Sequence, residues 1–349
     1  MSKNLINTSK EFFTCSFLKN DFEIKQKFKV SQKFYSPIDQ FKLTPGTITY
    51  YCEWFPKDIY SDRPFVIIPI KDSPNLLKHT LDNFEKNNFF DYVNIIIVDD
   101  RSIENLQNIT KNYPVSFIKT HNEFGFNFSM LNNIGALVAN YYDGKTLVMW
   151  NSDLWLDKVE HFVKLIKLHN QENSTISGSK LLYPIESLHD SHSPNIENHF
   201  PNKLDGSYKG TVQFGGSRWI PANVTIQNKK TGTFLPYHYK RFSNKNNPFV
   251  NSNYATDFVT GALQVINLDW FIKSGGLNPS LPKNFQDTDI CLRAVEDGKK
   301  VMYFGKDIHF YHDESYTFYN KGNKKGKGIQ TDQALFTNIW NDKLTSIIF

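Results

Sequence analysis

The chain has 349 residues, of which 40% are hydrophobic and 15% aromatic, and its formal net charge is +5. This length can bury the core of one large or two modest domains, and the small charge argues against a dedicated nucleic-acid-binding protein. No apolar run approaches the ~20 residues that a helix needs to cross a bilayer, so the sequence predicts no transmembrane segment.

The three cysteines, Cys15, Cys52 and Cys291, are too few and too scattered for a disulfide framework, and they favour a reducing compartment. The short apolar stretch at residues 12–18 is followed by Lys19-Asn20-Asp21 and lacks a small-residue cleavage site, so it does not indicate a signal peptide. We therefore expect a cytoplasmic protein. A peripheral contact with the inner face of a membrane stays open.

Residues 1–62 show no clean hydrophobic period and include the turn-like Pro45-Gly46, so they predict an N-terminal extension of unknown role. The pattern changes after residue 62. The continuous apolar run Phe65–Ile70 is typical of a strand buried on both faces. Asn75 is predicted to cap a following helix that carries Leu77 and Leu81 on one side.

Strand and helix patterns continue to residue 150 and predict a right-handed, parallel arrangement. The predicted elements are strands at residues 93–98, 115–118 and 146–150 and a helix at residues 129–140. Asp99 and Asp100 follow the first of these strands, and Asp153 follows the last. Residues just beyond the carboxyl ends of parallel strands lie at the edge where open α/β sheets bind ligands.

Residues 185–256 interrupt this rhythm because they are polar and aromatic, with few long apolar runs. Regular patterns then return as alternation at residues 257–266, a short helix around Trp270, a helix at residues 287–297, a strand at Tyr303-Phe304 that leads to His309 and His312, and a last helix around residues 334–340. The sequence has no Gly-x-Gly-x-x-Gly and no P-loop motif, so the usual glycine-rich phosphate cradles are excluded.

Two carboxylates separated by one residue, Asp287 and Asp289, stand at the start of the helix predicted for residues 287–297. With the acidic residues that follow the strands, they make three acidic clusters that one sheet edge could collect. This arrangement predicts a metal-assisted group transfer in which one carboxylate remains as a general base.

In this order, the segments resemble family 2 glycosyltransferases of the GT-A fold, particularly bacterial-type enzymes that build rhamnan, O-antigen or capsule chains. Ile97-Val98-Asp99-Asp100-Arg101-Ser102 is similar to the family's Val-Asp-Asp-Gly-Ser signature, with Arg101 in place of glycine. Trp150-Asn151-Ser152-Asp153 resembles an Asn-Pro-Asp variant of the Asp-x-Asp motif. Residues 286–293 resemble the block Glu-Asp-x-Asp-Leu-Cys-x-Arg. Further matches are residues 66–72, Gly125-Phe126, residues 132–136, Thr260-Gly261-Ala262 and Gly275-Gly276.

The resemblance implies an α/β, Rossmann-like GT-A fold with a central mixed, mainly parallel sheet flanked by helices. It places the glycosyltransferase domain at residues 63–315, with an inserted acceptor-side region at residues 185–256. Residues 316–349 then form a C-terminal flexible loop and helix. The implied reaction is the inverting transfer of a sugar from a nucleotide-diphosphate sugar to a glycan or lipid-linked glycan acceptor of polysaccharide, lipopolysaccharide or capsule type.

The resemblance also implies roles for single residues. Asp287 corresponds to the carboxylate that takes the acceptor's proton. Asp153, with His312 as a second ligand, corresponds to the position that holds Mn²⁺ or Mg²⁺, ions that prefer oxygen ligands. The family's nucleotide-sugar contacts fall on Pro69, Asp72, Asp99, Asp100, Asn133, Asn151, Ser152 and Asp153. Its acceptor-side positions fall on Gly261, Gln286, Asp289 and Arg293.

Simpler interpretations stay open for these residues. Asp287 and Asp289 also fit helix capping, and the acidic pair at residues 99–100 also fits an Asx turn after a strand. Asn151 stands where many relatives have aspartate, so the site carries one negative charge less and metal independence is an alternative. The lysine-rich residues 321–327 fit either a lid over the diphosphate or a solvated loop.

Two other functions also stay open. A sugar nucleotidyltransferase would share the sheet and the metal chemistry, but it normally has a glycine-rich, basic loop after the first strand, which residues 70–74 lack. A glycan-binding or scaffold protein would keep the fold without turnover, and Asn151 is the residue that favours this alternative.

Overall fold

The computed structural model describes residues 13–18, 26–39, 42–122, 125–186, 208–226, 229–314 and 327–348. These residues form a mixed α/β fold with one large sheet, a smaller sheet and a long hairpin. No helix within these ranges is both long and apolar enough to cross a membrane.

The strands are numbered in chain order. The large sheet contains β1 (Phe13–Leu18), β2 (Gln26–Asp39), β3 (Lys42–Phe55), β4 (Phe65–Ile70), β5 (Asn94–Asp99), β6 (Val115–His121), β7 (Thr146–Trp150), β9 (Ile176–Ser179), β14 (Asn253–Ala255), β15 (Leu263–Asn267) and β16 (Val301–Phe304). The smaller sheet contains β8 (Leu154–Leu156), β10 (Leu181–Leu182), β11 (Val212–Phe214) and β17 (Phe310–His312), and the hairpin contains β12 (Ser217–Ile226) and β13 (Lys229–His238). Across the large sheet the order is β1-β2-β3-β6-β5-β4-β7-β15-β9-β16-β14.

Helices pack against these sheets. Within the described ranges they are α1 (Pro74–Lys86), α2 (Gln107–Thr110), α3 (Phe128–Tyr141), α4 (Val159–Gln171), α5 (Leu268–Lys273), α6 (Gln286–Glu296) and α7 (Lys327–Ile348), with a 3-10 turn at Phe89–Asp91. Helix α3 lies directly on the central strands, and a Cβ atom at Gly135 would lie 2.4 Å from Cγ2 of Ile67 on β4. Glycine at this position therefore permits the close approach of helix and sheet.

The centre of the large sheet has the parallel arrangement that the sequence predicts. Strands β6, β5, β4 and β7 are neighbours in that order and run parallel. All residues of β4 and β5 are buried, which accounts for their continuous apolar runs. Because parallel strands end at the same edge, the residues that follow Ile70, Asp99 and Trp150 lie side by side.

The flanks of the described sheet are mainly antiparallel, so the expected predominance of parallel pairing holds at the centre and not at the edges. Strands β1, β2 and β3 form an antiparallel meander, and Tyr51 to Phe55 of β3 pair with β6. The prediction for residues 1–62 lacks these strands. Ile48, Tyr50, Cys52 and Trp54 are nevertheless buried at every second position, which is typical of a strand with one buried face.

Two predicted boundaries are corrected. Helix α1 begins at Pro74, with Ser73 rather than Asn75 as its N-cap residue, because proline already has the φ angle of the first helical position. The alternation predicted over residues 257–266 gives a strand only at Leu263–Asn267. Phe258 and Val259 lie in the preceding loop and are buried there. Their apolar side chains therefore reflect burial in the loop and not a strand.

The C-terminal helix α7 packs against the segment that leads into α6. The two share a second apolar core that contains Leu281, Leu292, Leu335, Phe336, Trp340 and Leu344. The Phe285 and Phe336 rings stack with centroids 5.1 Å apart, and the Asn284 amide donates to the Asp332 carboxylate at 2.9 Å. Helix α7 thus fixes the start of α6. The predicted lid at residues 321–327 falls almost entirely outside the described residues.

Candidate active site

Four adjacent strands bring the predicted motifs to one edge of the large sheet. Asp100 follows β5, and its N–H donates to the carbonyl of Ile70 at the end of β4 at 2.9 Å. Asn151 follows β7, and its N–H donates to the Ala262 carbonyl just before β15 at 3.0 Å. Since β5, β4, β7 and β15 are neighbours, Asp100 and Ala262 are separated by three strand spacings, or about 14 Å. The edge therefore forms one continuous rim.

Asp100 is a buried carboxylate neutralised by basic neighbours. Its oxygens lie 3.0 Å from Lys71 Nζ, 3.3 Å from Arg101 Nε and 3.1 Å from Asn122 Nδ2. The Asp100 side chain is 0% exposed, whereas the Lys71 and Arg101 side chains are 31% and 29% exposed. The two cationic groups therefore cover Asp100, and they are what an approaching ligand meets first.

The backbone at Arg101 explains why the similar signature has glycine there. Arg101 has a φ angle of +54°, in the left-handed region that favours glycine. Its guanidinium donates to the Asn122 carbonyl at 2.7 Å, as well as pairing with Asp100. These contacts hold a non-glycine residue in this conformation.

Asp99 and Asp72 shape the two loops beside Asp100. Asp99 Oδ1 accepts hydrogen bonds from the N–H and hydroxyl of Ser102, and burial raises the pKa of the Asp99 carboxyl. The Asp72 N–H donates to Ser102 Oγ at 2.7 Å, and Asp72 Oδ1 accepts from the Ile103 N–H at 2.6 Å. In this structure both carboxylates make contacts that join the loops after β4 and β5.

Asp153 and His312 face each other across the second predicted cluster. His312 Nε2 lies 3.2 Å from Asp153 Oδ1, and both side chains are buried. Burial lowers the pKa of His312, but the nearby carboxylates of Asp153, Glu314 and Asp313 together outweigh burial, so the pKa is raised overall. On the other side of the ring, Nδ1 lies 3.3 Å from Gln213 Oε1. The amide fixes the ring so that Nε2 faces Asp153.

The same cluster offers a suitable donor set for a divalent cation. Asn151 Oδ1 is buried and has no hydrogen-bond partner among the described residues, while Asn151 Nδ2 lies 3.4 Å from His312 Nε2. An amide oxygen, a carboxylate oxygen and an imidazole nitrogen are ligands that Mn²⁺ accepts, with oxygen preferred. Asp153, His312 and Asn151 therefore fit the metal that the family resemblance implies.

Asp287 lies at the far end of the rim, at the start of α6. Its Oδ2 accepts the Gly261 N–H at 2.7 Å and its Oδ1 accepts the Thr288 N–H at 2.8 Å. The residue is partly exposed, and burial raises the pKa of the carboxyl despite these hydrogen bonds. A Cβ atom at Gly261 would lie 2.9 Å from Asp287 Cβ, so glycine is needed at that point. A carboxylate with a raised pKa at a rim is suited to accept a proton.

Asp289 and Arg293 make structural contacts behind Asp287. Asp289 Oδ2 lies 3.0 Å from Arg293 Nε, and its Oδ1 accepts the Trp340 indole N–H at 3.0 Å. Arg293 also donates to the carbonyls of Ser274 and Gly276, at 3.0 and 2.6 Å. These contacts join α6, the glycine turn and α7, so they hold the helix that carries Asp287.

We predict that Trp340→Phe lowers the free energy of unfolding by about 2 kcal/mol, because a buried charged acceptor loses its donor. Urea unfolding of the purified chain measures this loss. Trp270→Phe is the matched control, since the Trp270 indole donates to Asp297 at 3.1 Å in an exposed setting. The control should change stability by less than about 0.5 kcal/mol. Equal effects of the two substitutions would contradict the role of Trp340 in holding α6 through Asp289.

Other predicted site residues lie apart from the rim or make contacts through the backbone. The Asn133 amide, buried in α3, bonds the N–H and carbonyl of Leu277 and the Gln32 side chain, all at 2.8 Å. Pro69 pairs with Val98 inside the sheet, and the Ser152 carbonyl accepts the Thr80 hydroxyl at 2.6 Å. Gln286 is buried, and its Oε1 has no partner among the described residues.

Two residues at the candidate site, Lys71 and Gln213, are not among the site residues that the sequence predicts. Lys71 pairs with Asp100, and its position directly after the first buried strand is a signal that could have found it. Gln213 orients His312 from a region without regular patterning, where no local signal marks it.

A cavity of about 500 Å³ lies at the opposite edge of the sheet and is not part of this site. Its lining includes Arg63, Asn94 and Ser116, which stand just before or at the starts of β4, β5 and β6. The acidic residues that follow the ends of the central strands lie at the other edge. The rim is therefore the candidate active site.

Comparisons with known proteins bear on the family and the fold of the chain. The family model described as "Glycosyl transferase family 2" matches residues 65–232. No curated protein matches the chain. A crystal structure of GalNAc-T7 with UDP, GalNAc and Mn²⁺ shares 15% identity and a TM-score of 0.53, over 81% of this chain and 49% of that chain. The chain thus spans about half the length of that structure.

Two further solved structures align with lower TM-scores. The mannosyltransferase PcManGT from Pyrobaculum calidifontis, in complex with GDP-Man and Mn²⁺, has 13% identity and a TM-score of 0.45, over 80% of this chain and 73% of that chain. TarS 1-349 from S. aureus has 14% identity and a TM-score of 0.45, over 79% of this chain and 71% of that chain. Residues 65–232 therefore carry the glycosyl transferase family 2 sequence pattern, and the chain has the GT-A fold.

Proposed function

We propose that the protein is an inverting glycosyltransferase that moves a sugar from a nucleotide-diphosphate sugar to a glycan acceptor of polysaccharide, lipopolysaccharide or capsule type. The observation that carries the proposal is the continuity of the rim. Asp100, the Asn151–Asp153 segment and Asp287 are joined through the backbones of Ile70, Ala262 and Gly261. A donor laid along this rim would have the nucleotide at one end and the reacting sugar at the other.

The nucleotide end is assigned to Asp100 and its two cationic neighbours. Lys71 and Arg101 present positive charge to the nucleotide, and the buried Asp100 carboxylate holds both of them in place through ion pairs. Movement of either cation on binding would uncover Asp100 for a direct contact with the nucleotide. Asp72 and Asp99 support this end by holding the two loops together.

The diphosphate is assigned to the centre of the rim. Asp153 and His312 would hold a divalent Mn²⁺ or Mg²⁺ ion. The Asn151 side-chain oxygen, which has no hydrogen-bond partner in the described part of the chain, would be a further ligand. When bound, such an ion neutralises the charge that develops on the departing diphosphate. Gln213 keeps the imidazole of His312 turned toward Asp153.

The proton transfer is assigned to Asp287. Its carboxylate takes the proton of the acceptor hydroxyl while that oxygen bonds to the anomeric carbon. The bond from this carbon to the diphosphate breaks on the opposite side, and the diphosphate leaves with the electron pair. A single displacement of this kind inverts the anomeric configuration. The hydrogen bonds from Gly261 and Thr288 hold the carboxylate in place for the transfer.

The acceptor side is assigned to the region around Asp287 and the β12–β13 hairpin. The hairpin lies against α7, with Trp219 and Phe234 packed on the second apolar core. Tyr237 on β13 is 44% exposed and could stack against a sugar ring. In this assignment Asp289 and Arg293 act indirectly, by holding α6.

The direct test is a thermal-shift screen of UDP-, GDP- and dTDP-sugars with Mn²⁺, followed by a transfer assay with the sugar that stabilises most. NMR of the glycoside product gives its anomeric configuration. We expect stabilisation by one nucleotide class and a product inverted relative to the donor. A product with retained configuration would contradict the single-base mechanism, and no stabilisation by any nucleotide sugar would contradict the function.

We predict an acidic limb in the pH dependence of kcat/KM, above the pKa of about 4 that an ordinary aspartate has. Burial raises the pKa of Asp287, so the base is ionised only at pH values above that raised pKa. The same shift means that the stability Asp287 contributes is present at low pH and is lost as the pH rises through the raised pKa. Activity that stays flat down to pH 4 would contradict the role of Asp287. His312→Gln, assayed with saturating Mn²⁺, should keep the limb in any residual activity.

A further inference from the structure

A short antiparallel ladder carries an aspartate and a histidine at each of its ends. Strands β8 and β17 pair from Leu154↔His312 to Leu156↔Phe310. At one end, Asp153 faces His312 across the candidate metal site described above. At the other end, Asp157 follows β8 and His309 precedes β17, with His309 Nε2 lying 3.2 Å from Asp157 Oδ2. The two ends are three to four residues apart, or about 10–13 Å.

A third ligand joins the pair at the far end. His161, in the first turn of α4, is buried, and its ring centroid lies 4.4 Å from that of His309. Asp157, His161 and His309 can each offer one ligand atom, and these atoms all lie within 4.8 Å of one another. Two segments of the chain, residues 157–161 and His309, thus bring two imidazoles and one carboxylate together.

The hydrogen bonding of His161 leaves one of its ring nitrogens available. Its Nδ1 lies 2.9 Å from the His309 carbonyl oxygen. A carbonyl can only accept, so the proton is on Nδ1 and the lone pair is on Nε2. A histidine that donates one N–H to a backbone carbonyl is the usual state of a metal ligand, because the bond fixes its tautomer and orientation.

His309 and Asp157 lie close together without a hydrogen bond. His309 Nε2 is buried and has no hydrogen-bond partner among the described residues, although the carboxylate is 3.2 Å away. A cation between the ring and the carboxylate would satisfy both.

We propose that Asp157, His161 and His309 form a second metal site, which binds a divalent transition ion of the zinc class. In tetrahedral zinc sites with bonds of about 2.0–2.1 Å, ligand atoms are separated by about 3.3 Å, close to the distance between His309 and Asp157. Two nitrogens and one oxygen favour Zn²⁺ or Co²⁺ over Mg²⁺. The partly exposed Asp157 leaves the fourth position to water.

The effect of this ion would be to brace the β8–β17 ladder. It would tie the start of α4 to the ends of both strands, and these strands carry Asp153 and His312 at their other ends. This consequence rests on the proposed function. The binding of the ion itself does not, since it needs neither nucleotide nor acceptor.

The test uses the full chain, stripped with a chelator, with Co²⁺ or Zn²⁺ as the only addition. Co²⁺ absorption reports tetrahedral coordination, and competition with a chromophoric chelator gives the Zn²⁺ affinity. We expect one tetrahedral Co²⁺ in the wild type and in His312→Ala, which removes a ligand of the other candidate site. Mg²⁺ in large excess should not displace it.

Asp157→Asn and His309→Ala should weaken Zn²⁺ binding at least about 100-fold, since even outer partners of a metal ligand account for roughly 10- to 100-fold. Asp157 is partly exposed, so its substitution is not expected to unfold the chain. His121→Ala removes a half-exposed histidine from β6 and is the matched control, with unchanged affinity expected. No tetrahedral Co²⁺ in the wild type, or loss of the site in His312→Ala but not in Asp157→Asn, would overturn the proposal. Either result would leave the proposed transfer of sugar untouched.

Discussion

Asp287→Asn is expected to lower kcat for sugar transfer by about 1,000-fold, within the range that a positioned general base contributes. The amide keeps the size of the side chain, and its oxygen can still accept one of the two N–H groups, from Gly261 or Thr288. It cannot take the acceptor's proton. Because burial raises the pKa of Asp287, the ionised carboxylate itself costs stability, and the substitution should not destabilise the fold strongly.

The measurement is steady-state transfer with the donor identified by thermal shift, together with nucleotide affinity by calorimetry. Nucleotide affinity should stay within a few-fold, since Asp287 lies at the opposite end of the rim from Asp100. Asp332→Asn is the matched control, because burial also raises the pKa of Asp332 and its carboxylate bonds the loop before α6. Full activity of Asp287→Asn, or an equal loss in Asp332→Asn, would remove Asp287 as the base.

Two opposite changes of charge at the centre of the rim, one at Asp153 and one at Asn151, should give the second large effect, which is on Mn²⁺ affinity. Asp153→Asn should reduce activity and Mn²⁺ affinity at least about 100-fold, because it removes the carboxylate that would hold the ion. Asn151→Asp should raise Mn²⁺ affinity at least about tenfold, because it adds a negative charge where the Asn151 oxygen now has no hydrogen-bond partner among the described residues.

Mn²⁺ titration followed by electron paramagnetic resonance measures both changes, with and without nucleotide. Ser152→Ala is the control between the two positions, because the Ser152 contact among the described residues is made by its backbone carbonyl, which accepts the Thr80 hydroxyl. Activity that survives both chelation and Asp153→Asn would show a metal-independent reaction. A lower Mn²⁺ affinity in Asn151→Asp would show that position 151 does not face the ion.

The central strands could be predicted because their continuous apolar runs directly indicate burial on both faces. The run Phe65–Ile70 is buried on both faces and is found as predicted, and acidic residues after such strands are brought to one edge by topology alone. Arg101 is a more subtle case. Its backbone has the left-handed conformation that glycine adopts most easily, so a glycine at this position would need no change of backbone.

The parts that the sequence did not predict depend on contacts between distant segments. Asn133 belongs to a matching segment, yet its amide is used by Leu277 and by Gln32 on β2, a strand absent from the prediction. Gln213 acquires its place beside His312 only because β11, β10 and β17 pair in the smaller sheet. Such roles depend on tertiary pairing, which no local period encodes.

The most direct test of the account is a crystal structure of the chain with Mn²⁺ and the nucleotide sugar that stabilises it most, with data collected at the manganese absorption edge. We expect an anomalous peak between Asp153 and His312, the nucleotide beside Lys71 and Asp100, and the anomeric carbon facing Asp287. Manganese only at Asp157, His161 and His309, or the nucleotide in the cavity beside Arg63 and Asn94, would contradict it.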